Sequence, residues 1–361
     1  MTVAHINRIG TAVPDIDVHA AFVAFARTLL RDDRTRALFD RMAERSGIAH
    51  RFSWFRPGRL EDGEVDAEGF FRRGAFPTTG ARMRRYEEWA LKLALRAIDA
   101  LDIAAEHAGI THVVVGSCTG FSAPGLDLQI AAHLGLRPSV CRSMIGFMGC
   151  SAAVPSLRAA REAVLADPSA RVLVVNLELC TLHMQETEDL ETVLSFLLFG
   201  DGCAASLVTA DEQGIALRDF RNAIIPDSTD LITWRIGDQG FDMRLSGKVP
   251  GRIAETLRHE RARGDAEGLL RGEGTQAIEH WAVHAGGRTV LDAVEIGLSL
   301  PATALAHSRA VLSDFGNMSS ATVMFVLQRM LRGLRGAGRE PGMAMAFGPG
   351  MVAETFRFSV L

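Results

Sequence analysis

The rhythm of apolar positions changes along the chain. In residues 14–110 apolar side chains recur at helical spacing: segments 20–30 and 34–45 each carry such a stripe, and 86–101 sets Trp89, Leu93, Ala97 and Ala100 on one face. Segment 52–79, rich in Gly, Pro and charge, reads as loop. Beyond residue 110, short continuous apolar runs alternate with helical patterns. Residues 112–116, 171–175 and 203–209 read as buried strands, and 125–134 and 151–166 as helices. The second half repeats this grammar, with strands at 281–283, 342–346 and 354–360 and helices at 289–298 and 321–334. Strands flanked by helices predict an α/β fold with a mostly parallel sheet covered on both faces. Two halves of similar plan, 1–210 and 211–361, fit an internal duplication.

One stretch joins these patterns. Met144-Ile145-Gly146-Phe147-Met148-Gly149-Cys150 reads as a buried apolar run, and a helical pattern begins at Ser151. Pro155 is compatible with that helix only in its first turn, where its missing N–H has no partner to lose. Cys150 then stands at a helix N-terminus, where the dipole favours a thiolate. Read alone, Cys150 serves equally as a nucleophile or as a small residue filling a core turn.

Composition narrows the class. The chain has 361 residues, is 48% hydrophobic and carries a net charge of −4, so nothing draws it globally to nucleic acid. It holds no uncharged apolar run long enough for a membrane span, and its first residues lack a signal layout. Five cysteines, at 118, 141, 150, 180 and 203, without CxxC pairing, read as reduced thiols of a cytoplasmic protein. No phosphate-loop pattern is present. His280 and His284 share the spacing of a zinc helix, but Trp281 replaces the glutamate and the stretch reads as strand, so no metal is expected.

Two further polar residues follow strand or loop signals. His284 ends a strand before two glycines, a place as suited to a structural histidine, and Asn317 precedes a helix, where it serves as readily as an N-cap. Together with Cys150 they form a Cys/His/Asn set on strand-end loops, where open α/β sheets place their sites. An imidazole can generate the thiolate, and an imidazole N–H with a side-chain amide can stabilise a developing oxyanion.

Several stretches resemble the type III polyketide synthases, the chalcone synthase family of the thiolase superfamily. They are Gly149-Cys150, Leu198-Phe199-Gly200-Asp201-Gly202, Trp281-Ala282-Val283-His284-Ala285-Gly286-Gly287, Gly316-Asn317-Met318-Ser319-Ser320 and Phe347-Gly348-Pro349-Gly350, in the family's order and near its spacing over roughly residues 5–360. The resemblance implies a thiolase-like αβαβα layered fold with two pseudo-duplicated halves, the Cys in the first and the His and Asn in the second. It implies a homodimer, and substrates that are CoA thioesters, an acyl-CoA starter and malonyl-CoA, with no separate cofactor. On matching positions, Cys150 is the acyl-accepting nucleophile, and His284 and Asn317 hold the malonyl thioester carbonyl during decarboxylation and condensation. Phe199 matches a gate between CoA tunnel and cavity. Cys118, Cys180, His183, Trp234 and Ser319 fall on cavity positions. Arg45, Arg51, Gly286 and Gly287 fall near the CoA contacts.

Departures accompany the likeness. Met243 stands where a second gating phenylalanine is usual, Ala285 replaces a proline, and Ala123 replaces a methionine that crosses the dimer interface in plant members. Cys118, Cys180 and His183 replace threonines, and Trp234 replaces a glycine. The runs Glu178-Leu179-Cys180-Thr181-Leu182-His183 and Gly146-Phe147-Met148-Gly149-Cys150 look closer to microbial alkylresorcinol and alkylpyrone synthases, which implies a fatty-acyl starter. The alternatives are a single condensation of the β-ketoacyl-ACP synthase III type and a non-catalytic scaffold of the same fold.

Overall fold

A computed structural model describes residues 2–59, 64–333 and 339–361. In chain order the strands are β1 (Ala4–Ala12), β2 (Ile16–Asp17), β3 (Phe52–Ser53), β4 (His112–Gly116), β5 (Cys141–Ile145), β6 (Val172–Leu179), β7 (Asp201–Thr209), β8 (Ile215–Ile224), β9 (Ile232–Gly237), β10 (Gly240–Leu245), β11 (His280–Val283), β12 (Pro341–Gly348) and β13 (Val352–Val360). The helices are α1 (His19–Leu29), α2 (Asp33–Arg45), α3 (Thr79–Asp99), α4 (Leu126–His133), α5 (Ala153–Ala166), α6 (Leu190–Leu198), α7 (Val249–Arg263), α8 (Arg288–Leu298), α9 (Ala306–Phe315) and α10 (Ala321–Gly333). Leu334, the expected end of the last helix, and Met1 lie outside the described residues.

Nine strands form one sheet in the order β11-β12-β13-β8-β1-β7-β6-β4-β5. Alternate side chains of each half enter different cores, which gives five layers. Leu173, Val175 and Leu177 of β6 pack under α3 with Tyr86, Trp89 and Leu93, whereas Val172 and Val174 face α5 and α10. In the other half Ala344 and Ala346 of β12 face the same two central helices, and Met343 and Met345 face α7 and α8. Burial on both faces is why these strands read as unbroken apolar runs. The layering is αβαβα. Gly10 lets β1 lie against α3, since a Cβ there would stand 2.2 Å from the Ala97 carbonyl oxygen. Ala100, expected on the buried face of that helix, follows its last turn and is exposed.

The sheet is mixed, not mostly parallel. β4–β5, β4–β6 and β11–β12 are parallel pairs, and the remaining five are antiparallel. Residues 349–351 alone join β12 to β13, too few for a crossover, so that pair must run antiparallel. A second correction concerns the run before Cys150. Met144 is 38% exposed, because β5 is the edge strand and its outer side has no neighbour in this chain.

Candidate active site

The Gly149–Cys150 turn follows from steric demands. Gly149–Ser151 make one 3-10 turn, and α5 starts at Ala153, so Pro155 falls in its first turn. Gly149 has φ 54°, and a Cβ there would lie 2.5 Å from Pro349. Only glycine fits that position. Ser151 Oγ closes the turn by donating to the Met148 carbonyl at 2.9 Å.

His284 ends β11, and its N–H donates to the Met345 carbonyl at 2.8 Å. The ring is buried, and among the described residues neither ring nitrogen has a hydrogen-bond partner. Asn317 follows α9. Its N–H donates to the Leu198 carbonyl at 2.8 Å and its carbonyl accepts from Gly200 N–H at 3.0 Å, which fastens it to the Phe199 loop. Its side-chain Oδ1 accepts from Ser319 N–H at 2.8 Å, and Nδ2 donates to the Gly286 carbonyl at 3.1 Å. These bonds fix the amide with Nδ2 4.0 Å from the Cys150 sulfur. The second N–H of that amide is aimed at the sulfur.

Burial opposes charge on both partners. It pushes the Cys150 thiol up to about 11, with the Glu178 charge adding to the rise and hydrogen bonds from Ser319 and Asn317 opposing it. Burial alone pulls His284 down to about 3. The sequence expectation of a thiolate favoured by the helix dipole is thus outweighed, since an exposed helix terminus contributes only about 0.3–1 kcal/mol. Moving one proton from the Cys150 thiol to the imidazole leaves the net charge unchanged, and the attraction of the resulting pair offsets part of both desolvation terms. Among the described residues no hydrogen bond occupies the lone-pair nitrogen of the neutral His284 ring.

Cys150, His284 and Asn317 open on one cavity of about 1080 Å³, mouth included. Phe199 lies beside them at the end of α6. The opposite wall is the β9–β10 hairpin, where Trp234 and Met243 face each other across the two strands and both line the cavity. Val249 and Ile253 of α7 and Val290 of α8 complete an apolar lining. Cys118, Cys180, Ser319 and Gly286 also border it. So does His183, but both its nitrogens are engaged, by the Thr119 carbonyl at 2.7 Å and the Phe241 N–H at 2.9 Å.

The four expected CoA contacts separate. Arg45 is exposed at the end of α2, and its carbonyl accepts from Arg288 Nη1 at 3.3 Å. That bond sets the end of α2 beside the start of α8, which Gly287 precedes. Arg51 is a correction. It is fully buried, its guanidinium bonds to the Phe196 and Phe199 carbonyls and to His19 Nδ1, and it lines the cavity wall instead of meeting a phosphate in solvent. Its charge is satisfied largely by carbonyl oxygens, and burial lowers its pKa to about 9.

Glu178 is a residue that sequence reasoning missed. It is fully buried in β6 and accepts from Cys118 N–H at 3.0 Å, Thr119 Oγ1 at 2.8 Å and Ser320 Oγ at 2.5 Å. Burial raises its carboxyl to about 7, against the pull of these bonds. The available signal was an acid between two leucines, Leu177-Glu178-Leu179, in a mostly apolar strand, which demands buried partners. His280 is apart from the site, bonded to Glu340 at 2.7 Å.

A five-layer fold that gathers a cysteine, a histidine and an asparagine at strand ends has the ground plan of the thiolase-like condensing enzymes. Sequence comparison gives the family within that class. Residues 2–212 match the family "Chalcone and stilbene synthases, N-terminal domain", and residues 217–361 match the corresponding C-terminal domain. The chain belongs to the chalcone and stilbene synthase family and is a type III polyketide synthase, an acyltransferase-type enzyme whose family uses acyl-CoA and malonyl-CoA. It is 32% identical over 375 aligned positions to the alpha-pyrone synthesis polyketide synthase-like Pks18 of Mycobacterium tuberculosis, covering 100% of this chain and 92% of that protein. It is 40% identical over 262 residues to bisdemethoxycurcumin synthase of Oryza sativa subsp. japonica, covering 68% of this chain and 65% of that one. Among solved structures it superposes on PKS-I of the brown alga Ectocarpus siliculosus with a TM-score of 0.87 at 29% identity, over 100% of this chain and 99% of the other. The type III domain of Steely1 from Dictyostelium gives 0.88 at 22% identity, covering 99% of each, a likeness of fold. Among the described residues no helix is long and apolar enough to cross a membrane.

Proposed function

We propose that this type III polyketide synthase loads a fatty-acyl starter on Cys150, extends it with malonyl-CoA and releases an alkylpyrone or alkylresorcinol. The observation that carries the starter class is the lining beyond Cys150: Ile232, Leu245, Val249 and Ile253 offer an alkyl chain apolar contact and few hydrogen bonds. The Pks18 relative, whose name records alpha-pyrone synthesis, supports the same reading.

In this reading the Cys150 proton passes to His284, and the thiolate attacks the starter carbonyl. The C–S bond to Cys150 forms as CoA leaves with that proton. Malonyl-CoA then loses CO2, and the electron pair remains as an enolate whose oxygen accepts from Asn317 Nδ2–H and His284 Nε2–H. The enolate carbon attacks the acyl carbonyl and the Cys150 thiolate leaves, which returns the site for the next cycle. Arg45 and the Gly286–Gly287 turn serve the CoA portion near the start of α8. A second copy seated on the exposed edge of β5 accounts for the uncovered Met144 and Phe121, and makes the enzyme a homodimer. The five free cysteines support a cytoplasmic setting, and in this reading the CoA thioesters are substrates and no separate cofactor takes part. The division at residue 210 separates the half carrying Cys150 from the half carrying His284 and Asn317.

The test is product analysis by mass spectrometry with malonyl-CoA and starters from acetyl to long-chain acyl-CoA, without carrier protein. Long-chain starters are expected to give pyrone or resorcinol products most efficiently. Preference for aromatic or short starters overturns the substrate class.

A further inference from the structure

The β9–β10 hairpin stands outside the nine-stranded sheet, and a lone two-stranded hairpin holds its shape poorly. Here side chains fasten it to the loop after β4. Trp234 Nε1–H donates to the Cys118 carbonyl at 2.7 Å. His183 makes the second tie, since Phe241 N–H donates to its Nδ1 at 2.9 Å while its Nε2–H donates to the Thr119 carbonyl at 2.7 Å. The His183 ring also stacks on Phe241 at 4.2 Å, and Trp234 stands edge-on to it at 5.3 Å. Cys118 then reaches the nucleophile turn, because its sulfur accepts the Gly149 N–H at 3.1 Å. Two hydrogen bonds through one residue thus connect the cavity wall to the neighbour of Cys150.

We propose that Trp234 is a positioning residue: its indole N–H, acting through Cys118, couples the hairpin wall to the Gly149–Cys150 turn, and this bonded wall, beyond the bulk of the indole, fixes the length of chain the cavity accepts. Met243, opposite Trp234 in the hairpin, is held by the same tie. The proposal rests on the reading of the cavity as the place where the chain grows on Cys150. Loss of the indole donor leaves the Cys118 carbonyl without its hairpin partner, the condition under which buried polar groups destabilise their surroundings most.

Three variants separate bonding from bulk. Trp234→Phe keeps a ring and removes the N–H, Trp234→Gly removes both, and Cys118→Ala keeps the carbonyl and removes the sulfur. Two readouts need no polyketide substrate: hydrogen exchange of residues 232–245, and the pH profile of Cys150 alkylation by iodoacetamide. Trp234→Phe is expected to speed hairpin exchange at least tenfold and to shift the alkylation profile. Cys118→Ala is expected to shift that profile with wild-type hairpin exchange, and adding Trp234→Phe to it should shift the profile no further. Additive shifts, or wild-type exchange in Trp234→Phe, overturn the coupling. In product assays Trp234→Phe should broaden the chain-length distribution and change kcat more than KM. Wild-type lengths in Trp234→Phe with altered lengths in Trp234→Gly would show that bulk alone acts. Should Trp234→Gly fail to fold, indole N–H exchange of the unaltered protein decides, with slow exchange expected at Trp234 and fast exchange overturning the tie. If no CoA thioester yields product, the substrate reading fails, while exchange and alkylation still decide the coupling.

Discussion

His284 and Asn317 are fastened beside Cys150 by main-chain bonds, whereas the hairpin that faces them combines two main-chain bonds, Gly350 N–H to the Ile232 carbonyl and Thr79 N–H to the Asp238 carbonyl, with ties made by side chains. His284 hangs from Met345 and Asn317 from Leu198 and Gly200 by main-chain bonds that any sequence of this fold can make. The side-chain ties of the hairpin come from Trp234, His183, Thr79 and Gln185, residues that substitution can remove. Chemistry that must recur in every cycle is built on the rigid part. The surface proposed to select chain length is built on the part whose ties can vary. Variants of the two regions should therefore differ in kind, with losses of rate on the sheet side and changes of product on the hairpin side.

The largest loss is expected at the nucleophile. Cys150→Ala should abolish product, and intact-protein mass spectrometry of the wild type with acyl-CoA should find the acyl group on Cys150. An adduct on Cys118 or Cys180, both on the same cavity, would move the chemistry to another thiol. Next, Asn317→Ala removes one of the two proposed enolate donors and should slow CO2 release from malonyl-CoA by about 100- to 1000-fold, while Cys150 is still acylated. Measured as labelled CO2, an unchanged rate would leave Asn317 only the structural bond to Gly286.

A stability effect on the sheet side comes third. Glu178 has a folded-state value of about 7 against an ordinary 4.5, so the unfolded chain ionises first as pH rises. Its contribution is complete below about 4.5 and is lost as pH climbs through 7, by at most about 3 kcal/mol. Asp201, raised to about 7 by burial, acts in the same direction. His284 and His183, each lowered to about 3 by burial, act in the opposite direction up to about 6.5, so the readout is a difference between proteins: the Tm of Glu178→Gln should rise relative to that of the wild type between pH 4.5 and 7.5. An identical slope in the variant would mean that Glu178 ionises normally. At His284, replacement by Ala removes the proposed proton acceptor, so iodoacetamide labelling of Cys150 at neutral pH should slow at least tenfold and its pH midpoint should rise. A midpoint that stays in place would assign the proton to another group.

The same division explains what the sequence makes legible. Strands buried on both faces, such as β4 and β6, announce themselves, and so do the glycines that only the Cys150 and His284 turns require. β1 and β8 hide because Arg8, Arg218, Asp219 and Arg221 interrupt their apolar pattern. Strand direction also escaped, because it depends on which strands become neighbours; β1 sits between β7 and β8 although it opens the chain. α7 was missed because its stripe, Val249, Ile253 and Leu257, is diluted by arginines. At the site, motif order located Cys150, His284 and Asn317. It misplaced the Arg51 guanidinium, since spacing along the chain does not reveal that a side chain turns inward to carbonyls 145 and 148 residues away.

The smallest effect is expected at Met243, where the hairpin meets the gate. Met243 lies opposite Trp234 and half-buried against the cavity, in reach of a chain entering past Phe199. A thioether has three rotatable bonds and adapts its shape, so it discriminates weakly between chains. Met243→Phe replaces it with a rigid ring, and Met243→Ala removes the obstruction. Apolar pockets distinguish one methylene by about 1–3 kcal/mol when tightly fitted, and a flexible partner lies at or below that range. Competition between equimolar short- and long-chain acyl-CoA starters measures the effect directly, as a ratio of products that cancels differences in active fraction. Met243→Phe is expected to favour the shorter starter several-fold, and Met243→Ala to move the ratio the other way. Opposite shifts identify a gate that works by size. A ratio that moves in neither variant would leave selection to Trp234 and its tie to Cys118, and would confine the influence of the hairpin to that one contact.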